Sequence, residues 1–341
     1  MSSPSAASPH ADPLVTVVVP MRNEAAGIIA CLESILANTL PDNATLELLV
    51  LDGESTDASP ALVQALAERD PRVRLIANPA RLQADAFNIG LREARGRYLV
   101  RMDAHTRYDP AYCAECVRLL EETGAENVGG VQRATGTDAM SSAIAAAVSS
   151  RFAAGDAKYR HATEPAWVDT VYLGAWRTDT LRKIGGMRPG WAVNEDYEMN
   201  IRLRATGGRI HLSPTIKSSY AVRASLPKLI RQYTRYGFWK VRTLRTHPGS
   251  VRLRQLVAPA FVASILATPI LVALFGPLGW SHLALYACAN LTASVLTARA
   301  TSWRHLPLLP VIFLAIHLSW GTGFLAGWTY WPLRPRDAAT I

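Results

Sequence analysis

Residues 256–298 form a run of 43 without a single Asp, Glu, Lys or Arg. A helix needs about 20 apolar residues to cross a hydrocarbon core, so the run is long enough for two passes. The Gly-Pro-Leu-Gly segment at 276–279 supplies a turn between them, and residues 305–333 add a third uncharged stretch. Beyond Leu256 only Arg299, Arg304, Arg334, Arg336 and Asp337 carry formal charge. The whole chain is 49% hydrophobic and 18% charged, yet the part before Arg223 has ordinary globular composition. A soluble part followed by a membrane part is therefore expected.

The net charge of +9 is equally local, with nine Lys or Arg and no acid from Arg223 to Arg254. Such a stripe suits nucleic acid or anionic lipid headgroups. Its place directly before the uncharged run points to membrane lipids, and no nucleic-acid partner is expected. Residues 226–244 (LPKLIRQYTRYGFWKVRTL) read as a basic, aromatic amphipathic helix of the kind that lies in a membrane interface. Basic residues before 256 and at 299–304 belong on the cytosolic side, so three passes leave the C-terminal tail outside. The expected boundaries are a tail at 1–13, an α/β domain at 14–222, a basic interface segment at 223–255, a membrane region at 256–333 and a tail at 334–341. The N-terminal residues have neither a basic n-region nor an apolar h-region, so the α/β domain is expected in the cytosol, at the inner (cytoplasmic) membrane. Cys113 and Cys116 form a lone C-x-x-C with no second pair for zinc; with Cys31 and Cys288 they suit a reducing compartment.

Residues 14–20 (LVTVVVP) are a continuous β-branched run, the mark of a strand buried on both faces of a parallel sheet. Strands at 46–51, 72–76 and 97–102 alternate with helices, the last of them at 82–95 and stopped by Gly96. This alternation predicts a mostly parallel, Rossmann-like α/β sheet, whose ligands bind at the carboxyl ends of the strands. Later, 168–175 reads as another strand, and 194–205 as a helix N-capped by Asn194 and ended by Gly207.

The polar clusters fall at the predicted strand ends. Pro20-Met21-Arg22-Asn23-Glu24 follows the first strand, and Asp52-Gly53-Glu54-Ser55 the second. Asp103-Ala104-His105 follows the fourth, and Asn194-Glu195-Asp196 comes later. A carboxylate and an imidazole two residues apart can hold a divalent cation against a nucleoside diphosphate. The turn after the first strand lacks G-x-G-x-x-G, which excludes a dinucleotide-dependent oxidoreductase.

In this order and spacing the clusters resemble family 2 glycosyltransferases of the GT-A fold, over roughly residues 14–240. The basic segment and apolar tail are similar to the membrane-bound exopolysaccharide branch, such as the succinoglycan glucosyltransferases. The resemblance implies that Pro20, Arg22, Asn23, Glu24 and Asp52 cradle the uridine of a UDP-sugar, with Asp52 accepting the uracil imide N–H. It implies that Asp103 and His105 bind Mg²⁺ or Mn²⁺, with histidine standing where many relatives have a second Asp. Asp196 matches the family's general base, and Glu195 stands beside it in the family's Glu-Asp pair. Asn88, on the third helix, is counted with the donor-binding residues.

Gln232-Tyr233-Thr234-Arg235-Tyr236 resembles the Q-x-x-R-W motif of processive synthases but ends in Tyr. Arg235 then binds the diphosphate or the acceptor, or is simply a membrane-surface arginine. Tyr220 stands where many relatives carry a histidine ligand, leaving His211 as the alternative third ligand. Trp167, Trp176 and Trp191 belong either to an acceptor surface, where rings stack on sugars, or to the core. The expected activity is inverting transfer of a hexose to a polyprenyl-linked saccharide. Transfer to polyprenyl phosphate itself, or a non-catalytic nucleotide-sugar-binding subunit, are the alternatives.

Overall fold

A computed structural model of the chain describes residues 13–222 and 225–333. The expected tails at 1–12 and 334–341, and Arg223 of the basic stripe, lie outside the described residues. The first half alternates as predicted: β1 (Val15–Met21), α1 (Ile28–Leu36), β2 (Leu46–Asp52), α2 (Ser59–Ala67), β3 (Val73–Ala77), α3 (Gln83–Glu93) and β4 (Tyr98–Arg101). Strand β1 pairs in parallel with β2 and β4, and β2 with β3. Successive residues of the apolar runs serve opposite faces. Val15, Val17 and Val19 join one core cluster, and Val18, with Leu49 and Leu51 of β2, joins the other. Burying each such side chain contributes about 1.5–3 kcal/mol, and a sheet covered twice gains on both faces.

Next come β5 (Thr106–Tyr108), α4 (Tyr112–Thr123), β6 (Asn127–Gly130), β7 (Arg133–Thr135), α5 (Ala139–Ser149) and α6 (Arg151–Ala154). They are followed by β8 (Ala166–Val168), β9 (Tyr172–Arg177), α7 (Thr178–Ile184), α8 (Glu195–Ala205), β10 (Ile210–Leu212) and β11 (Ser218–Ala221). The main sheet has the order β3-β2-β1-β4-β9-β6-β10-β8, and β5-β11-β7 form a small second sheet beside it. The single strand expected at 168–175 is in fact two, one at the sheet edge and one at its centre. The break falls at 169–171, and Leu173 and Gly174 inside β9 take positive φ (63° and 112°). The polar pair Asp169-Thr170 stands at that break. Cys113 and Cys116 are buried in α4, packed in the core as expected.

Asn194 precedes α8 as predicted, but in the left-handed region (φ 63°) and without a side-chain capping bond. Asparagine tolerates that conformation, so the helix start was legible while the cap geometry was not.

The chain ends in α9 (Leu226–Thr246), α10 (Arg254–Phe275), α11 (Ser281–Ala300) and α12 (Leu309–Tyr330). Two stretches, Arg254–Ala300 and Leu309–Leu333, are long and apolar enough to cross a membrane; the first is the α10–α11 pair, joined by a short turn at Gly276–Trp280. This pair exposes its large side chains, with Leu266 70%, Leu274 69% and Leu285 73% accessible.

Helix α12 differs. Ile312, Phe313 and Ile316 pack on α5 and on Leu229 and Tyr233 of α9, and His317 Nε2 lies 3.0 Å from the Phe152 carbonyl. Farther along, Gly237 of α9 meets the Trp320 carbonyl and Gly323 of α12 meets the Thr234 carbonyl so closely that a Cβ at either would overlap backbone. Small residues at such a seam let two helix backbones approach. The apolar stripe of α9 is thus covered by α12, rather than facing lipid as the amphipathic pattern predicts.

Gly237→Leu should therefore pry α9 from α12 and lower stability by about 3 kcal/mol. Gly249, whose Cβ position is open, is the control: Gly249→Ala should leave the thermal midpoint of the detergent-solubilised chain unmoved. Equal midpoints for both variants would contradict this packing.

Candidate active site

The loops after β1 and β2 are stitched to one another. Asn23, at φ 56°, donates its N–H to Ser55 Oγ (2.9 Å) and accepts the Thr56 N–H at Oδ1 (2.7 Å). Glu24 donates its N–H to Ser59 Oγ (2.8 Å), and Gly53 donates to the Met21 carbonyl (2.8 Å). Asp52 accepts the Ser55 N–H at a long 3.3 Å from either oxygen, which is weak engagement for a half-buried carboxylate. Pro20 stands opposite Leu51, one residue before the register of β1 ends at Met21 opposite Asp52, and Arg22 is exposed beside Gly53.

Strand β4 delivers the next group. The Asp103 N–H donates to the Tyr108 hydroxyl (2.6 Å), which donates in turn to the Asp103 carbonyl (3.1 Å), and the Cys31 thiol donates to the same carbonyl (3.5 Å). Burial pushes that thiol up to about 12, so Cys31 is packing and not a nucleophile. His105 Nδ1 lies 3.6 Å from Glu24 Oε1, and its ring meets Tyr220 edge-on at 5.6 Å. The first and third predicted clusters are therefore neighbours.

Arg101, the last residue of β4, joins them to the fourth. Its side chain is only 7% exposed; Nη2 is 3.6 Å from Asp103 Oδ1, and Nη1 is 3.5 Å from Glu195 Oε1. Nη2 also donates to Gln83 Oε1 at 3.1 Å. Burial, and next to it the charge of Asp196, raise Glu195 to about 7, while Arg101 opposes them. Asp196 is half-buried and accepts the Tyr197 N–H at 2.7 Å. Asp103, Glu195 and Asp196 thus gather at the carboxyl end of β4.

Two further residues hold α8 in place. Glu198 is fully buried between Arg188 (2.7 Å), Arg202 (3.0 Å) and His247 Nε2 (2.9 Å). Lys240 of α9 is buried with Nζ 3.6 Å from the centre of the Tyr197 ring; burial and then Arg254 lower it to about 7, against Asp169 and Asp196. Arg101, Glu198 and Lys240 were all missed from sequence. The signal for Arg101 was available, since a charged residue in the apolar run YLVRM must find a partner.

The site fits a divalent cation. Asp103 Oδ1 is buried and has no hydrogen-bond partner, an unsatisfied acceptor of the kind a cation relieves. Carboxylate with imidazole, completed by diphosphate oxygens, is a workable donor set, because Mg²⁺ commonly takes one or two protein ligands and substrate phosphates. No group of three His, Cys, Asp or Glu fit for a metal occurs among the described residues. His211 cannot be the third ligand: it packs on Trp167 in β10, three strands from β4, about 14 Å away.

Other candidates are placed elsewhere. Both amide atoms of Asn88 are engaged by the Met187 backbone (2.7 and 2.9 Å), so it secures a turn rather than a nucleotide. Arg235 is exposed on α9, and no hydrogen bond or ion pair joins it to the loop cluster among the described residues. Trp176 is core, edge-on to Phe87; Trp191 is buried beneath Arg242; only Trp167 is exposed, under Arg209.

The sequence matches two family profiles, glycosyl transferase family 2 over residues 16–158 and glycosyl transferase family group 2 over residues 98–331. The succinoglycan biosynthesis protein ExoA of Rhizobium meliloti (strain 1021) is 32% identical over 310 residues, covering 90% of this chain and 93% of that protein. This chain belongs to glycosyl transferase family 2. A dolichyl N-acetyl-alpha-D-glucosaminyl phosphate 3-beta-D-2,3-diacetamido-2,3-dideoxy-beta-D-glucuronosyltransferase of Methanococcus voltae is 26% identical, over 68% of this chain and 74% of its own. In fold, the mannosyltransferase PcManGT of Pyrobaculum calidifontis, solved with GDP-Man and Mn²⁺, aligns with a TM-score of 0.61 at 21% identity, covering 97% of this chain and 92% of that one. The glycosyltransferase therefore has the GT-A-like architecture its motifs predict.

The raised Glu195 value has a consequence that can be measured. Its folded-state pKa of about 7 lies above the ordinary 4.5, so its contribution to stability is full below pH 4.5 and lost as pH rises through 7. In EDTA, Glu195→Gln should gain on the parent chain between pH 5 and pH 8, by on the order of 2–3 kcal/mol. Parallel stability curves for the two proteins would refute the assignment.

Proposed function

We propose that this glycosyltransferase moves a hexose, with inversion, from a UDP-sugar to a lipid-linked saccharide at the cytosolic membrane face. The observation that carries the reading is the double engagement of Arg101. It brings Asp103 and Glu195, remote in sequence, to one strand end. Asp52, with its loosely held carboxylate, accepts the base N–H, and the stitched loop at Asn23 and Glu24 lies beside it. Asp103 and His105 hold a divalent cation, which when bound neutralises the departing diphosphate.

In the transfer, Asp196 takes the proton of the acceptor hydroxyl. The freed oxygen bonds to the anomeric carbon opposite the diphosphate, the bond from that carbon to the diphosphate oxygen breaks, and the nucleoside diphosphate leaves with the electron pair. Arg101 keeps the neighbouring carboxylates from repelling the base out of position. The relative from Methanococcus voltae, named for a dolichyl-linked sugar phosphate, supports a lipid-linked saccharide as acceptor.

The α10–α11 hairpin suits insertion into the bilayer, with Arg252 and Arg254 at its start and Arg299 and Arg304 at its end on the cytosolic side. A third pass by α12 is harder to reconcile with its packing. It would carry Lys228, Arg231, Arg235, Lys240, Arg242 and Arg245 of α9 into hydrocarbon, at a cost of about 2.5–3.5 kcal/mol for each centrally placed charge. The α9–α12 pair belongs at the membrane surface in this reading.

Membranes holding the chain, incubated with labelled UDP- and GDP-sugars and lipid-linked acceptors, test the proposal. Asp196→Asn should cut transfer by roughly 10²–10⁴-fold and leave UDP binding intact. Asp103→Ala should weaken only the Mn²⁺-dependent part of UDP binding. A phosphate acceptor has no proton to give up, so near-normal turnover by Asp196→Asn would replace this reading with transfer to polyprenyl phosphate. Transfer from GDP-sugars alone would overturn the role of Asp52 in selecting uracil.

A further inference from the structure

The arginines with the least exposed side chains in the ion-pair network each have carboxylate partners: Arg101 with Asp103 and Glu195, Arg188 and Arg202 with Glu198, Arg254 with Asp156 and Asp169. Arg160, in the short turn after α6, is different. It is half-buried, its guanidinium lies over the Tyr159 ring at 5.3 Å, and the phenols of Tyr233 and Tyr236 of α9 are within its electrostatic reach. No ion pair joins it to a carboxylate among the described residues. A half-buried cation without a counter-ion is suited to an anionic ligand.

The surroundings are suited to an oxyanion. The Tyr236 hydroxyl accepts a hydrogen bond from Gln232 Nε2 (2.7 Å), which leaves its own proton to donate. Tyr159 is anchored by its carbonyl, which accepts the Gln132 N–H (2.8 Å). Within the Gln232–Tyr236 motif Tyr233 is buried, Gln232 and Tyr236 are half-buried and bonded to one another, and Arg235 is exposed.

The place of Arg160 narrows the ligand. On one side Tyr233 belongs to the apolar cluster of Ile144, Val148, Ile312 and Ile316. On the other, Tyr233 and Tyr236 neighbour Tyr220, whose ring meets His105 of the cation pair. An anion seated here has a hydrocarbon-like wall behind it and the donor site before it.

Building on the proposed lipid-linked acceptor, we infer that Arg160, with Tyr159 and Tyr236, is the subsite for the phosphate or diphosphate of that lipid. The guanidinium and the phenol protons bind its oxygens, and the α5–α12 cluster meets the first part of its chain.

The test uses the full chain in detergent, saturated with UDP and Mn²⁺ so that the donor site is closed, and titrated with farnesyl diphosphate, inorganic pyrophosphate and farnesol. Arg160→Met should weaken farnesyl diphosphate binding at least about tenfold, since charge-assisted bonds to phosphate are lost. Tyr236→Phe should weaken it less, and farnesol and UDP binding should not change. Tighter binding of farnesyl diphosphate than of pyrophosphate assigns the site to a lipid, and equal binding to a soluble phosphate, which overturns the lipid part. Removal of an unpaired cation should not lower the thermal midpoint; a clear drop in Arg160→Met, with Tyr236→Phe binding normally, would mark Arg160 as a packing residue. Unchanged farnesyl diphosphate affinity in both variants refutes the subsite, even where sugar transfer proceeds. Conversely, binding lost in Arg160→Met by a chain that transfers no sugar would leave the subsite standing and the enzymatic reading fallen.

Discussion

Asp103, Glu195 and Asp196 are three carboxylates at one strand end, and they cannot share it without a positive charge among them. Arg101 is that charge, enclosed at the end of β4 and within 3.6 Å of two of them. The balance is incomplete. Glu195 is still raised to about 7 and Asp103 Oδ1 still lacks a partner, so the cluster retains room for one more cation. A site that is nearly but not wholly neutralised favours a bound divalent ion with its diphosphate, and keeps at least one carboxylate ready to accept a proton.

The helix carrying Glu195 and Asp196 is also mechanically tied to the membrane-side helices. Glu198 on the same helix is buried among Arg188, Arg202 and His247, the last of these at the end of α9. Lys240, about two turns earlier on α9, sits on the Tyr197 ring, next in sequence to Asp196. The other side of α9 lies backbone-to-backbone with α12 through Gly237 and Gly323. Helix α8 is thus coupled through α9 to the apolar C-terminal helices. Such coupling gives a physical reason for the α/β sheet and the apolar tail to occur in one chain, since packed, ion-paired contacts run from one to the other.

Much of the catalytic sheet was readable because its strands are pure apolar runs and its ligand-facing clusters are short polar segments at their ends. The readings that failed share a different cause. The strand expected at 168–175 is broken at 169–171, where Asp169 pairs with Arg254 of α10, eighty-five residues away in sequence. Asn88 has the right chemistry for a nucleotide, but its amide is engaged by Met187, ninety-nine residues away in sequence. In the Gln232–Tyr236 motif the arginine attracts notice, yet it is exposed, while Tyr236, bonded to Gln232, lies within electrostatic reach of Arg160.

By itself, then, the order of apolar runs and polar clusters determined a doubly covered parallel sheet, its ligand-bearing rim, and the presence of an apolar tail, because those follow from local period and composition. Tertiary structure alone decided which charges meet. Ion pairs such as Arg101 with Glu195 and Glu198 with His247, and the setting of Arg160 with no carboxylate partner among the described residues, depend on helices and strands far apart in the chain being packed against one another. Residue spacing does not encode such distances, and at a few ångströms inside a low-dielectric interior they determine whether a charge is paired, shifted or left for a ligand.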